Sequence, residues 1–316
     1  YKLTGDIIVP VVGWATTYFP IAQNGFKINF VDVDPNTWNI DVNKIEKAIT
    51  SNTCAIMPVN LLGNSCDYAK LIEICREYDL MLIEDNCEAM GAKFHDKYCG
   101  TVGLAGSFSF FFSHHIQTME GGMVLTDNKD DADYMRSMRA HGWVRDLPDD
   151  SPLYKKTGNP FNDNFIFATP GYNVRPTEMS GAIGSVQLTK WNNIMKTRLA
   201  NKEQFLSLFA NKPWCRIQKE IGTSSWFTFG MVLDGELKGR RAEVIDALSK
   251  AGIQNRPLAS RNFLKQPVMR DLDYIDNKNY TAADDIHDNG FFVGNGSKII
   301  NEPIDKLYEV ISSFVE

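Results

Sequence analysis

No two of the six cysteines, at positions 54, 66, 75, 87, 99 and 215, form a CxxC pair. Zinc and iron–sulfur centres need clustered ligands of that kind, so no metal site is expected. The thiols read instead as reduced core residues of a cytosolic protein. No apolar run approaches the roughly 18 residues of a membrane-spanning helix, and no secretory leader is expected ahead of the first strand. No basic run stands out, and the net charge of −6 argues against nucleic acid as a partner. An initiating methionine is absent as well. The sequence opens at Tyr1 and enters a strand almost at once, at Asp6, which reads as a chain lacking its N-terminal segment.

What remains is ordinary globular composition, 43% hydrophobic and 23% charged. A length of 316 residues exceeds one typical core. Two domains are expected: a large one over 1–195 and a small C-terminal one over 196–316.

The first half alternates short apolar runs with helical periodicity. Strands are expected over 7–12, 27–33, 54–61 and 80–83, the last ending in Glu84-Asp85. Helices are expected over 16–23, 42–49 (with Asp41 as its cap) and 67–78. That order implies parallel strands joined by right-handed crossovers, with ligands bound beyond the carboxyl ends of the strands. Two further strands, 107–112 and 123–126, flank a polar loop, and a helix follows over 131–139. A long helical stretch, 177 to about 210, ties on the small domain, with a strand at 226–233 and helices at 241–251 and 304–314.

Chemistry concentrates at strand ends. Asp85 could face a ligand from a rigid support, although an acidic residue there is more often a helix cap or a solvated group. Trp14 leaves the first strand at the same edge, where it could stack on a flat cofactor or simply fill the core. The segment from Gly106 to Ile116 is more informative. Its alternation sets Ser107, Ser109 and Phe111 on one face and Phe108, Phe110 and Phe112 on the other. It then opens into a turn with adjacent His114 and His115, one of which is expected to be catalytic.

These residues carry a resemblance. The chain resembles the DegT/DnrJ/EryC1/StrS family of sugar aminotransferases, whose cofactor lysine follows a strand reading Ser-Phe-Ser-Phe-(Phe/Tyr)-Pro-(Ser/Thr)-Lys-Asn. Aligning Ser107 with the first serine puts His114 on the lysine. No lysine lies between Lys97 and Lys129, so no slip of register restores one. The substitution marks a smaller branch, the ketosugar 3-dehydratases. Similarity to that branch runs through Val-Asn-Leu-Leu-Gly-Asn (59–64), Glu-Asp-Asn-Cys-Glu (84–88), Ser-His-His-Ile (113–116), Thr-Met-Glu-Gly-Gly (118–122), Arg-Ala-His-Gly-Trp (139–143), Pro-Gly-Tyr-Asn-Val-Arg-Pro (170–176) and Phe-Val-Gly-Asn (292–295).

The resemblance implies a fold-type-I, aspartate-aminotransferase-like α/β architecture, with a mostly parallel sheet and a smaller α/β domain. It implies pyridoxal 5'-phosphate and pyridoxamine 5'-phosphate, held non-covalently, and L-glutamate as amino donor. By the same resemblance Asp85 pairs with the pyridine nitrogen, Trp14 stacks on the ring, Glu88 sits by the ring hydroxyl and Ser109 holds the phosphate. Asn173 reaches the phosphate of the partner in a homodimer, and His141 and Arg145 lie near the nucleotide sugar. A second phosphate-binding turn of the family falls before Tyr1.

His114 is then the base, with His115 the second choice. Histidine cannot form lysine's covalent link to the cofactor, but its ordinary pKa suits proton transfer at neutral pH. The implied reaction is loss of the 3-hydroxyl from a nucleotide-linked 4-keto-6-deoxyhexose, a GDP-linked mannose-configured sugar being the first expectation. Arg256, Arg261, Asn262 and Phe263 are candidates for setting that choice. The alternatives are a CDP-ketosugar 3-dehydrase, which needs an iron–sulfur centre that these cysteine spacings do not suit, and a sugar aminotransferase, which His114 disfavours. A degenerate, non-enzymatic binding protein would be expected to lose Asp85, Glu88 or His114, and all three are present.

Overall fold

The fold follows from two patterns, near-continuous apolar runs in the buried strands and amphipathic stripes in the helices between them. The computed structural model describes residues 1–315. The chain runs β1 (Asp6–Pro10), α1 (Ala15–Gln23), β2 (Lys27–Val31), α2 (Val42–Ala48), β3 (Thr53–Ile56), α3 (Tyr68–Glu77) and β4 (Met81–Asp85). A small hairpin, β5 (Lys93–Phe94) and β6 (Lys97–Tyr98), leads to β7 (Ala105–Ser109), β8 (Gly122–Leu125) and α4 (Lys129–Met138). Then come α5 (Pro160–Asp163), α6 (Glu178–Thr189) and α7 (Trp191–Phe209). The last part holds β9 (Cys215–Ile217), β10 (Thr228–Leu233), α8 (Arg241–Lys250), β11 (Asn255–Arg256), β12 (Tyr274–Asp276), α9 (Thr281–Asn289), β13 (Gly290–Gly294) and α10 (Asn301–Ser312).

Seven strands form the main sheet in the order β12-β2-β1-β3-β4-β7-β8. Every pair in it is parallel except β7 with β8. Because alternate side chains face opposite sides, Ile7 and Val9 join one apolar layer with Ile28 and Phe30, while Ile8 joins the other with Val31 and Ile56. Burial on both faces is what a parallel sheet requires. Asp41 caps α2 by accepting from the Asn43 amide, and Asp67 caps α3 in the same way from Lys70.

Four antiparallel strands, β11-β13-β10-β9, make the second sheet. Its own core includes Phe205, whose ring stacks on Phe209 and Phe229 at 4.7 and 4.4 Å. The boundary expected between 195 and 196 falls inside α7, and several later segments return to the first part of the chain. Strand β12 pairs with β2 in the main sheet, and Tyr280, Ala283 and Ile286 pack in the first core.

Several expected boundaries move. The strand expected over 54–61 ends at Ile56: Pro58 has no N–H to continue the ladder, a single bridge joins Val59 to Asp85, and positive φ at Leu62 and Gly63 (55° and 96°) then turns the chain out of the sheet. The strand expected over 107–112 is Ala105–Ser109, since its pairing with β8 stops at Ser109↔Gly122. Phe111 therefore does not share a strand face with Ser107 and Ser109. The helix expected from 177 to 210 is two, broken at Lys190.

Gly106 shows how closely β7 is held. A Cβ there would lie 2.2 Å from the Gly100 carbonyl oxygen. That backbone cannot yield, because the Glu84 carboxylate accepts from the amides of Gly100, Val102 and Gly103 at 2.6, 2.6 and 2.8 Å. Gly106→Ala is expected to cost about 2 kcal/mol or more of unfolding free energy, measurable by urea denaturation. An unchanged midpoint would mean that this contact is looser than drawn.

Candidate active site at the carboxyl edge of the main sheet

Parallel strands end on one edge, and three of them deliver polar groups there. Asp85, the last residue of β4, is fixed through its backbone: its amide donates to the Pro58 carbonyl and its carbonyl accepts from the Asn60 amide, each at 3.0 Å. Its carboxylate accepts from the Thr17 hydroxyl at 2.6 Å on one oxygen and from the Cys87 amide at 3.1 Å on the other. Thr17 stands in the first turn of α1, whose N-cap residue is Trp14. Trp14 is 59% exposed, not a core tryptophan, and its indole is available at the mouth of the sheet.

Glu88 lies one turn beyond Asp85, and its carboxylate accepts from the Leu62 amide at 2.8 Å. The residue is only partly covered, but its carboxyl sits deep, and burial raises that carboxyl from the usual range to about 7. Ser109 closes β7, and its hydroxyl accepts from the Phe111 amide at 3.2 Å. Cys87 is no nucleophile, because burial and the neighbouring Asp85 push its thiol far up.

The adjacent histidines part company. The His115 ring is buried, with Nε2 3.3 Å from the Ser225 carbonyl oxygen and contacts to Trp191 and Phe227. It is a core residue. His114 is partly exposed, its ring centred 5.9 Å from Phe111 and 5.0 Å from Phe227, and its Nδ1 is buried with no partner among the described residues. Burial lowers its pKa to about 4, with Arg198 adding to the fall and Asp85 opposing it. The imidazole is therefore neutral, and able to accept a proton, throughout the physiological range.

Asn173, His141 and Arg145 gather elsewhere. The 140 and 173 backbones bridge, and the His141 amide donates to the Tyr172 carbonyl at 2.8 Å. His141 lies edge-on to Trp143 at 5.0 Å, and the guanidinium carbons of Arg145 and Arg175 sit over the same indole at 4.3 and 5.3 Å. Of the small-lobe candidates, Phe263 is core, 4.4 Å from the Tyr18 ring, and Asn262 is buried. Arg261 follows Ser260, which bonds the Gly13 carbonyl and so brings this loop beside Trp14. The sequence reading missed Thr17, Phe227 and Arg198. A threonine one turn past Trp14 could have been found, but the other two meet the site only through long-range packing.

The model of the DegT/DnrJ/EryC1/StrS aminotransferase family matches residues 2–312. The chain belongs to that family. Within it, the chain is 45% identical over 313 residues to the GDP-4-keto-6-deoxy-D-mannose 3-dehydratase of Yersinia pseudotuberculosis, covering 98% of this chain and 80% of that protein. It is 44% identical to the enzyme of that name from Escherichia coli O55:H7, with the same coverage. The solved structure of an E. coli GDP-4-keto-6-deoxy-D-mannose 3-dehydratase with bound hydrated PLP superposes with a TM-score of 0.95 at 44% identity, covering 98% of this chain and 80% of that one. The architecture is thus the fold-type-I form shared by these family members, with its mostly parallel central sheet.

Glu88 yields a test of sign. Its folded pKa of about 7 lies above the ordinary 4.5, so the stability it contributes is complete below the unfolded value and is lost as pH rises through 7. Relative to Glu88→Gln, the native chain is expected to be less stable at pH 8 than at pH 5 when both are unfolded in urea. A pH-independent difference would show that the carboxyl is not held protonated.

Proposed function

We propose that this chain is a pyridoxal-phosphate-dependent 3-dehydratase acting on a nucleotide-linked 4-keto-6-deoxyhexose, with GDP-4-keto-6-deoxy-D-mannose as substrate. The observation that carries the reading is an imidazole, with no amine, beyond the end of β7 and within the electrostatic reach of Asp85. No lysine stands between Lys97 and Lys129 to take its place.

The residues fit the cofactor. Each Asp85 oxygen has one donor and keeps lone pairs for a pyridinium N–H. The exposed Trp14 indole offers a stacking face, and the Ser109 hydroxyl, accepting through its oxygen, keeps its own proton to donate to a phosphate. Glu88 can carry a proton below about pH 7 and would meet the ring hydroxyl. The unpartnered Nδ1 of His114 is a further sign of a site shaped around something more than its own side chains. When bound, the cofactor supplies an electron sink and carries glutamate's amino group.

The chain's own residues then account for the outcome. His114 cannot hold the cofactor covalently, so Asp85, Ser109, Trp14 and Glu88 must hold it by contacts alone. Being neutral, His114 would accept at a ring nitrogen the proton given up beside the transferred nitrogen. In the net reaction the 3-hydroxyl leaves, glutamate supplies the two electrons and becomes 2-oxoglutarate, and ammonia is released with the 4-keto-3,6-dideoxy sugar. Without a lysine to direct transfer, the sugar loses oxygen and gains no nitrogen.

A second copy completes this reading. All twelve residues of α6 escape burial, leaving Met179, Val186 and Leu188 exposed, and Asn173, His141 and Arg145 lie in a cluster of their own. Exposed apolar faces of this kind mark association surfaces. In a homodimer, Asn173 would serve the partner's phosphate, with His141 and Arg145 near the nucleotide sugar. Light scattering at micromolar concentration is expected to give twice the chain mass, and a monomer would remove this part of the reading.

The deciding measurement is mass spectrometry of the sugar after incubation with pyridoxal phosphate, glutamate and GDP-4-keto-6-deoxymannose. A product lacking one oxygen, with ammonia released, is expected, whereas a 4-amino sugar would overturn the dehydratase reading. His114→Asn should lower turnover by at least about 10²-fold while leaving cofactor binding intact. Full activity in that variant would remove His114 as the base.

A further inference from the structure

Behind His114 lies a cation that no carboxylate answers. Arg198 projects from α7 and is 4% exposed, yet among the described residues it forms no ion pair. Its Nη1 donates to the carbonyls of Trp226 and Phe227 at 3.3 and 2.9 Å, and its Nε is buried without a partner. Leaving a buried guanidinium unpaired is costly, and an apolar side chain of similar volume would fill the space at less cost. Burial alone brings its pKa down to about 10, so at neutral pH it remains charged.

The two carbonyls it holds belong to the segment that enters β10, and that segment is clamped on its other side as well. The Ser225 and Phe227 amides donate to the Gly63 and Leu62 carbonyls at 2.9 and 3.0 Å. Asn295 donates to the Trp226 carbonyl at 2.9 Å and is itself held by Asn201 at 3.1 Å. What this clamp presents is the Phe227 ring, tilted 41° to His114 at 5.0 Å and 37° to His115 at 5.4 Å.

We propose that Arg198 is a positioning residue for His114: it pins the Phe227 ring against the imidazole and sets an unpaired positive charge behind it. Both effects disfavour the imidazolium, the first by excluding water and the second by repulsion. The charged and titratable groups that bear on His114 are Asp85 from β4, which opposes the effect, Arg198 from α7, and His115 on its own loop. The base thus stays free to accept a proton even with the Asp85 carboxylate nearby. The inference rests on the proposed role of His114, but it can be read without turnover.

The test is NMR titration of the full chain labelled with 13C-histidine, with and without pyridoxal phosphate, the His114 signal being identified by its loss in H114N. Arg198→Gln keeps a donor for the carbonyls and removes the charge. It is expected to raise the His114 midpoint by about one pH unit and to move the acid limb of the dehydration rate with it. Phe227→Leu keeps the charge and thins the wall, and should raise the midpoint too. A folded R198Q whose His114 midpoint and acid limb match the native chain would reduce Arg198 to a structural pin and overturn the proposal. If R198Q does not fold, an unmoved midpoint in F227L overturns it through the wall. A shifted midpoint in a chain that deoxygenates no sugar would leave this inference standing and strike the functional reading instead.

Discussion

Parallel pairing of β4 with β3 and β7 decides where Asp85 can put its carboxylate, and the rest of the site is arranged around that point. The backbone of Asp85 is tied to residues 58 and 60 on one side, and Ser107 is its partner on the other. The carboxylate is therefore presented from a backbone held on both sides, and Thr17 orients it from α1. A charge on a loop could swing to solvent, whereas this one is held at the edge where helix and strand ends leave room for a ligand. Trp14, Ser109 and His114 reach the same edge because β1 and β7 end there too.

The adjacent histidines show how environment assigns roles that residue type cannot. Both rings touch Phe227, and both lose their protons more readily than a free imidazole because burial penalises the charged form. His115 is enclosed on its way to Trp191 and the Ser225 carbonyl, so it can exchange no proton with a ligand. His114 is half-open and feels the charge of the Asp85 carboxylate. Only the second combination suits the base proposed above.

Much of this was legible in the sequence, because the informative residues lie at the ends of apolar runs. Asp85 terminates such a run, and the turn holding His114 follows another, so the parallel-sheet rule carried both to one edge before any coordinates. The failures have physical causes. β12 is three residues long and shows no alternation, so its return to the main sheet was invisible. The α6–α7 break at Lys190 interrupts a helical pattern without a glycine or proline to mark it. Phe263 lies beside polar residues in the sequence but is covered by Tyr18 and Phe30, and only packing reveals that. Arg198 reads as one more charge on a helix until the carbonyls of Trp226 and Phe227 are found over it.

On the proposed assignment, the substitution of imidazole for amine also explains why so many groups must cooperate. An enzyme with a lysine ties down its resting cofactor by a covalent bond between turnovers. Here nothing covalent is available, so loss of any one contact bears directly on affinity. That is a reason for Asp85 to be triply anchored, for Glu88 to be drawn toward the backbone of Leu62, and for Leu62 to sit at positive φ between Glu88 and Phe227. Through Leu62, the groups that would grip the cofactor and the ring that backs His114 share one rigid turn. On that assignment, holding and proton transfer are set by the same piece of backbone, which ties the loss of a covalent anchor to the placement of the proposed base.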